Sequence, residues 1–253
     1  MKILLTNDDG IHAVGLRSMY KALKSAGHEV FVVAPQAEQS AVGHAVTMAM
    51  PLKVKHFKEN GFEGRGVTGT PVDCVKLGLS HLLKDEGIEI VVSGLNAGAN
   101  VGPDILYSGT VAAATEAALL GSPAIACSVD DFNPVDLTDQ GVYAAGLIER
   151  IPWPDLPLQC VINLNFPAGG IDKVKGLKLC PQTRAVYRDW YVERMDPRGR
   201  EYYWLEGEIP RDTVSPGTDR ALIDQGYVTM TPLKFEFTDR TVLDSLKGLG
   251  LED

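Results

Sequence analysis

Short apolar runs alternate with amphipathic stretches through the first half of the chain. Ile3–Leu5, Glu29–Ala34 (EVFVVA), Ile88–Ser93 (IEIVVS) and Ala124–Ser128 each read as a buried strand. Between the first two, Leu16, Met19, Tyr20 and Leu23 recur at helical spacing, which predicts a helix from about Gly15 to Ala26, ended by Gly27. Leu52–Phe57 alternates as a strand does and is expected to pair near Gly66–Val67. Thr70-Pro71-Val72-Asp73 combines an N-cap, a proline at the first helical position and an acid in the first turn. Val72, Val75, Leu79 and Leu82 give that helix its inner stripe. A small-residue helix over Val111–Leu120 is stopped by Gly121 and Pro123. Strand and helix in regular alternation predict a doubly wound, mostly parallel α/β sheet through about residue 130.

Beyond residue 130 the pattern changes. Thr138–Arg150 reads as a helix, Pro152–Pro157 as a connector and Val161–Phe166 as a strand. Residues 175–235 hold short segments rich in aromatics (Tyr187, Trp190, Tyr191, Tyr202, Tyr203, Trp204) and broken by proline and glycine. That pattern predicts antiparallel hairpins forming an arm that packs on a partner subunit. The expected division is a metal- and phosphate-binding core over 1–130 and a C-terminal segment over 131–253, as two units or one continuous domain.

Composition narrows the functional classes. With 253 residues, 45% hydrophobic and 23% charged, the chain is an ordinary globular protein. Its net charge of −9 and lack of a Lys/Arg cluster argue against a nucleic-acid polymer as partner. Cys74, Cys127, Cys160 and Cys180 are widely spaced with no C-x-x-C pair, so reduced thiols in a cytoplasmic compartment are expected. The first residues form a strand and carry neither a secretion signal nor a membrane segment.

The candidate chemistry starts where the first strand ends. Asp8 and Asp9 are adjacent acids that would repel each other unless a cation or proton is shared, and Gly10 allows the backbone to turn there. Ser40 follows the second strand and Asn96 follows Ile88–Ser93. In an open α/β sheet such groups converge at the carboxyl ends of the strands. Asp8, Asp9, Ser40 and Asn96 make an all-oxygen set suited to Mg²⁺, Mn²⁺ or Ca²⁺, with positions left open for water and substrate. Taken singly, Ser40 and Asn96 read as ordinary turn residues; only the combination favours a metal. Asn100 lies one turn of small residues further on. Ser108-Gly109-Thr110 precedes the Val111 helix, whose N-terminus offers an anion site. The glycines at 94, 98 and 102 do not form a dinucleotide fingerprint, and no P-loop is present. His12 and His44 read as structural hydrogen-bonding groups.

NDDG at residues 7–10, GTPVDCV at 69–75, SGLNAGANVG at 93–102 and YSGTVAAATEA at 107–117 resemble the SurE family, as does TDRALIDQGYVTMTPL at 218–233. The likeness spans essentially the whole chain. It implies a Rossmann-like core, association into a homodimer or homotetramer through C-terminal segments, and one divalent cation per subunit. It also implies hydrolysis of nucleoside 5′-monophosphates, and of 3′-monophosphates, to nucleoside and phosphate. The family's metal ligands fall on Asp8, Asp9, Ser40 and Asn96, and its phosphate-side positions on Asn100, Ser108, Gly109 and Thr110. Asp8, Asp9, Asn100 and Ser108 are then the catalytic set. Val14, Ala41, Gly43 and Ala117 depart from the family pattern in ways that bear on loop shape. The expected chemistry is attack by water in line with the leaving group; a covalent phosphate on Asp8 is the rival. A nucleotide-binding regulator with little turnover is the alternative function.

Overall fold

The computed structural model describes residues 1–157 and 159–249. The chain opens with β1 (Lys2–Thr6), α1 (Val14–Ser25) and β2 (Glu29–Pro35), then the hairpin β3 (Val54–Glu59) and β4 (Phe62–Val67). α2 (Pro71–Leu77) continues into a wider turn over Gly78–Leu82 and is followed by β5 (Ile90–Ala97), α3 (Gly109–Leu119), β6 (Ala124–Val129) and α4 (Thr138–Arg150). The remainder is β7 (Cys160–Phe166), β8 (Leu177–Leu179), β9 (Arg188–Met195), β10 (Glu201–Glu208), α5 (Asp219–Asp224), β11 (Val228–Lys234) and α6 (Arg240–Lys247). The main sheet runs β3-β4-β2-β1-β5-β6-β7-β11-β8. Strands β4, β2, β1, β5, β6 and β7 are parallel, whereas β3 and β11 run against their neighbours β4 and β7. This is the doubly wound α/β architecture that the alternation predicts.

Burial follows the two-residue period of each strand. Ile3, Leu5, Ile90 and Val92 face α1 and α4, while Leu4, Val91, Ala124 and Val161 face α2 and α3. The second cluster is built largely from alanines and valines, which lets α3 lie close to the sheet. α2 begins as its sequence dictates. Thr70 accepts the N–H of Asp73, and the Asp73 carboxylate returns a bond to the N–H of Thr70, closing a capping box.

The C-terminal half differs from expectation. β9 and β10 form the predicted antiparallel hairpin, standing apart from the main sheet. The rest of residues 175–235 is not hairpin. β8 and β11 pair in parallel and extend the main sheet beyond β7, and the short helix α5 lies between them in sequence. Buried Val228 and Met230 explain why this segment joins the sheet: their side chains complete the core beside β7.

Candidate active site

β1 lies between β2 and β5, so the connection after β1 runs toward one edge of the sheet and the later connection from β4 into β5 crosses to its other side. That arrangement opens a crevice at the carboxyl ends of the strands. A cleft of about 550 Å³ occupies it. Asp8 and Asp9 come from the β1 end, Ser40 from the loop after β2, Asn96 and Asn100 from the β5 end, and Ser108 from the start of α3. All six line the cleft, and Gly109 and Thr110 do not.

Asp8 is only 5% exposed and lies at the N-terminus of α3. Thr110 donates its backbone N–H to Asp8 Oδ2 at 3.1 Å and its hydroxyl to Oδ1. Gly109 makes this fit possible, since a Cβ there would lie 2.8 Å from Asp8 Cβ. The positive end of the helix is therefore met first by the protein's own carboxylate. The N–H and hydroxyl of Thr110 face Asp8 here, at the same helix start that the sequence reading assigns to a bound phosphate. Burial still raises the Asp8 carboxyl above its ordinary range, against the bonds from Thr110 and Gly109. Asp9 accepts the N–H of Ala97 at 3.1 Å. Burial, with the charges of Asp8 and Glu38 adding to it, lifts the Asp9 carboxyl to about 6.

Ser40 lies at the rim, where its hydroxyl donates to Glu38 Oε1 at 2.5 Å. The next residue, Ala41, holds φ 56°, a left-handed conformation that glycine adopts without strain. Asn96 is buried, and its Nδ2 donates to the carbonyl of Gly98 at 2.6 Å, which turns Oδ1 into the amide's free end. Ser108 caps α3 by accepting the N–H of Val111 at 3.1 Å, keeping its own proton to give.

Asn100 is the most tightly held of the group. Its side chain donates to Ser128 Oγ at 2.7 Å. Asn165 pairs with its main chain as a neighbouring strand would, accepting from the N–H at 2.8 Å and donating to the carbonyl at 3.1 Å. Asn163 donates to the same carbonyl at 2.8 Å. Two residues on, the buried carboxylate of Asp219 accepts the N–H of Gly102 at 2.9 Å and that of Thr183 at 2.7 Å. Sequence reasoning missed Asn163, Asn165, Asp219 and Glu38. A signal for the two asparagines was present in VINLNF, where the polar residues alternate with apolar ones and so share a strand face. Asp219 falls within TDRALIDQGYVTMTPL, the stretch that resembles the family, but nothing local assigns it a contact beside the cleft.

The histidines belong elsewhere. His12 packs edge-on against Phe57 and approaches Glu59, and neither His12 nor His44 lines the cleft. His44 bonds Glu116 at 2.7 Å.

Two carboxylates, a hydroxyl and an amide oxygen at one strand-end cleft form a donor set for a hard cation. Among the described residues, no three His, Cys, Asp or Glu side chains gather into a closed cage. Comparison with known proteins places this geometry in context. The family model described as survival protein SurE matches residues 3–189. The 5′-nucleotidase SurE of Nitratidesulfovibrio vulgaris is 64% identical over 246 residues, covering 97% of this chain and 91% of the relative. That of Solidesulfovibrio magneticus is 60% identical over 252 residues, covering 99% and 98%. The crystal structure of the SurE protein from Aquifex aeolicus superposes with a TM-score of 0.85 at 34% identity, covering 99% of this chain and all of that one. Sequence, architecture and the loops around the cleft agree, and the chain belongs to the SurE family.

Proposed function

We infer that the chain is a 5′-nucleotidase that hydrolyses nucleoside monophosphates to nucleoside and phosphate with the help of one divalent cation. The observation that carries this reading is the gathering of Asp8, Asp9, Ser40, Asn96, Asn100 and Ser108 around one cleft in a chain whose close relatives are named 5′-nucleotidases. The donor set fits a cation: neighbouring acids held above their ordinary range by burial gain from a shared positive charge. Oxygen-only ligands favour Mg²⁺ or Mn²⁺. Asp8, Asp9, Ser40 and Asn96 would hold the ion, which when bound polarises a phosphoryl oxygen and offsets negative charge.

The protein's own groups do the rest. Asn100 keeps one amide proton beyond its bond to Ser128, and Ser108 keeps its hydroxyl proton. These donors hold the remaining phosphate oxygens as charge shifts among them. Asp9, whose Oδ2 accepts from Ala97, would turn its carboxylate toward both the ion and the attacking water, which it orients and whose proton it takes. The new bond joins the water oxygen to phosphorus, the bond to the nucleoside oxygen breaks, and that oxygen takes a proton from solvent as it leaves, balancing the one passed to Asp9. Asp8 has both oxygens engaged by Thr110, which disfavours it as a covalent nucleophile. Phosphate release from a nucleoside monophosphate, measured with Mg²⁺ or Mn²⁺ and after chelation, tests the reading. Asp8→Asn and Asp9→Asn should each lower turnover at least about a hundredfold while the fold persists. Turnover at the level of these variants in the wild type would favour the nucleotide-binding regulator.

The active unit is proposed to be a homodimer or a larger homo-oligomer joined through C-terminal elements. No described helix is long and apolar enough to cross a membrane. All four cysteines are free thiols, as suits a reducing cytoplasm.

A further inference from the structure

The catalytic groups occupy only part of the cleft. A wall of different character comes from the loop after β6, where Phe132, Asn133 and Pro134 reach the same cavity. Phe132 is 78% exposed, an unfavourable setting for a phenyl ring with no partner. The backbone on either side of it is nonetheless tied down. Asp130 donates its N–H to the Phe166 carbonyl at 2.9 Å, and Asn133 donates its N–H to Asp131 Oδ1 at 2.9 Å. These bonds brace the loop on both sides of the ring. The loop at Gly98 backs it: Gly98 donates to the Val129 carbonyl at 2.9 Å, and a Cβ on Gly98 would lie 2.9 Å from Phe132 Cε1. The ring rests on bare backbone two residues from Asn96, and the rest of its surface is open.

We propose that Phe132 is the platform on which the nucleobase of the substrate stacks. The proposal rests on the nucleotidase reading above and assigns a role to a residue outside the phosphate-handling set. A planar base matches a braced, exposed ring, and base–aromatic stacking tolerates any base because every base has a π-face. A cleft of about 550 Å³ holds much more than a phosphate and falls within the range of small-molecule sites. Beside the ring, the Asn133 side chain makes no hydrogen bond among the described residues, leaving an amide donor and acceptor for a base edge. The enzyme should therefore accept purine and pyrimidine nucleotides alike, with purines favoured by their larger stacking area.

The experiment compares two phosphate esters that differ by the base: adenosine 5′-monophosphate, and ribose 5-phosphate measured as substrate or as competing inhibitor. Phe132→Ala should lower kcat/KM for the nucleotide at least about fivefold, mainly through KM, and leave the constant for ribose 5-phosphate unchanged. Phe132→Trp should retain the wild-type preference. An unchanged preference in Phe132→Ala overturns the proposal. So does an equal loss on both esters, which would make the ring a support for the loop or for a subunit contact. A wild-type enzyme that hydrolyses ribose 5-phosphate but not the nucleotide would instead overturn the nucleotidase reading itself.

Discussion

Asn165 shows how much one side chain can decide. Its amide pairs with both main-chain groups of Asn100, so the loop that carries Asn100 is held as firmly as a sheet strand. Asn165→Leu keeps the size of the side chain and removes both bonds. The carbonyl of Asn100 keeps Asn163 as partner, but its buried N–H has none left. A buried orphan of that kind costs about 1–3 kcal/mol. Denaturant unfolding should register that loss, and turnover should fall on the order of tenfold as Asn100 loses its fixed position. Unchanged turnover in a destabilised variant would confine Asn165 to a structural part.

At the scale of elements, α3 joins the cleft to the core. Its first turn receives Asp8, and near its end Glu116 bonds Lys76 of α2 at 2.6 Å and His44 at 2.7 Å. Burial disfavours the charged Glu116, yet these bonds outweigh burial and hold its carboxyl below the ordinary range. A depressed acid stabilises the fold above its unfolded-state value of about 4.3, and the contribution fades as pH falls through the lower folded-state value. Glu116→Gln should therefore cost about 1–2 kcal/mol at pH 7 and progressively less below pH 4. Urea titrations of both proteins at pH 7 and pH 3.5 check this. An equal deficit at the two pH values would show that shape, and not charge, holds the contact.

The whole molecule leaves apolar surface that its own core does not cover. In the β9–β10 hairpin, Tyr191 and Trp204 are 69% and 60% exposed. α6 buries no residue and exposes Val242, Leu243 and Leu246 along its length. A two-stranded ribbon is marginal alone, and large aromatics concentrate at interface centres. The purified protein should therefore be at least a dimer, and Trp190→Ser with Trp204→Ser should weaken association about tenfold or more. Light scattering at micromolar concentration measures both. A monomeric wild type would remove the interface, and an unaltered oligomer in the double variant would move it away from the hairpin.

Local chemistry was enough for much of this protein. The apolar runs of β1, β2, β5 and β6 have one physical reading, because a short run without helical period buries well only as a central strand. Thr70-Pro71-Val72-Asp73 carried its capping box in four adjacent residues, and Thr138–Arg150 kept its helical period to both ends. The acids at 8 and 9 were conspicuous because adjacent carboxylates after a buried strand demand compensation. Tertiary structure alone decided the rest. That the first turn of α3 receives a carboxylate from 102 residues earlier depends on how α3 lies against β1, which no local pattern encodes. Asn165 and Asp219 serve Asn100 and Gly102 across 65 and 117 residues, through sheet registry and the placement of α5. The β9–β10 hairpin is legible in the sequence, but the places of β8 and β11 in the main sheet are not, for the same reason. β11 takes its place from β7 and the core, and the three-residue β8 takes its place from β11, pairings that neither segment's own sequence encodes.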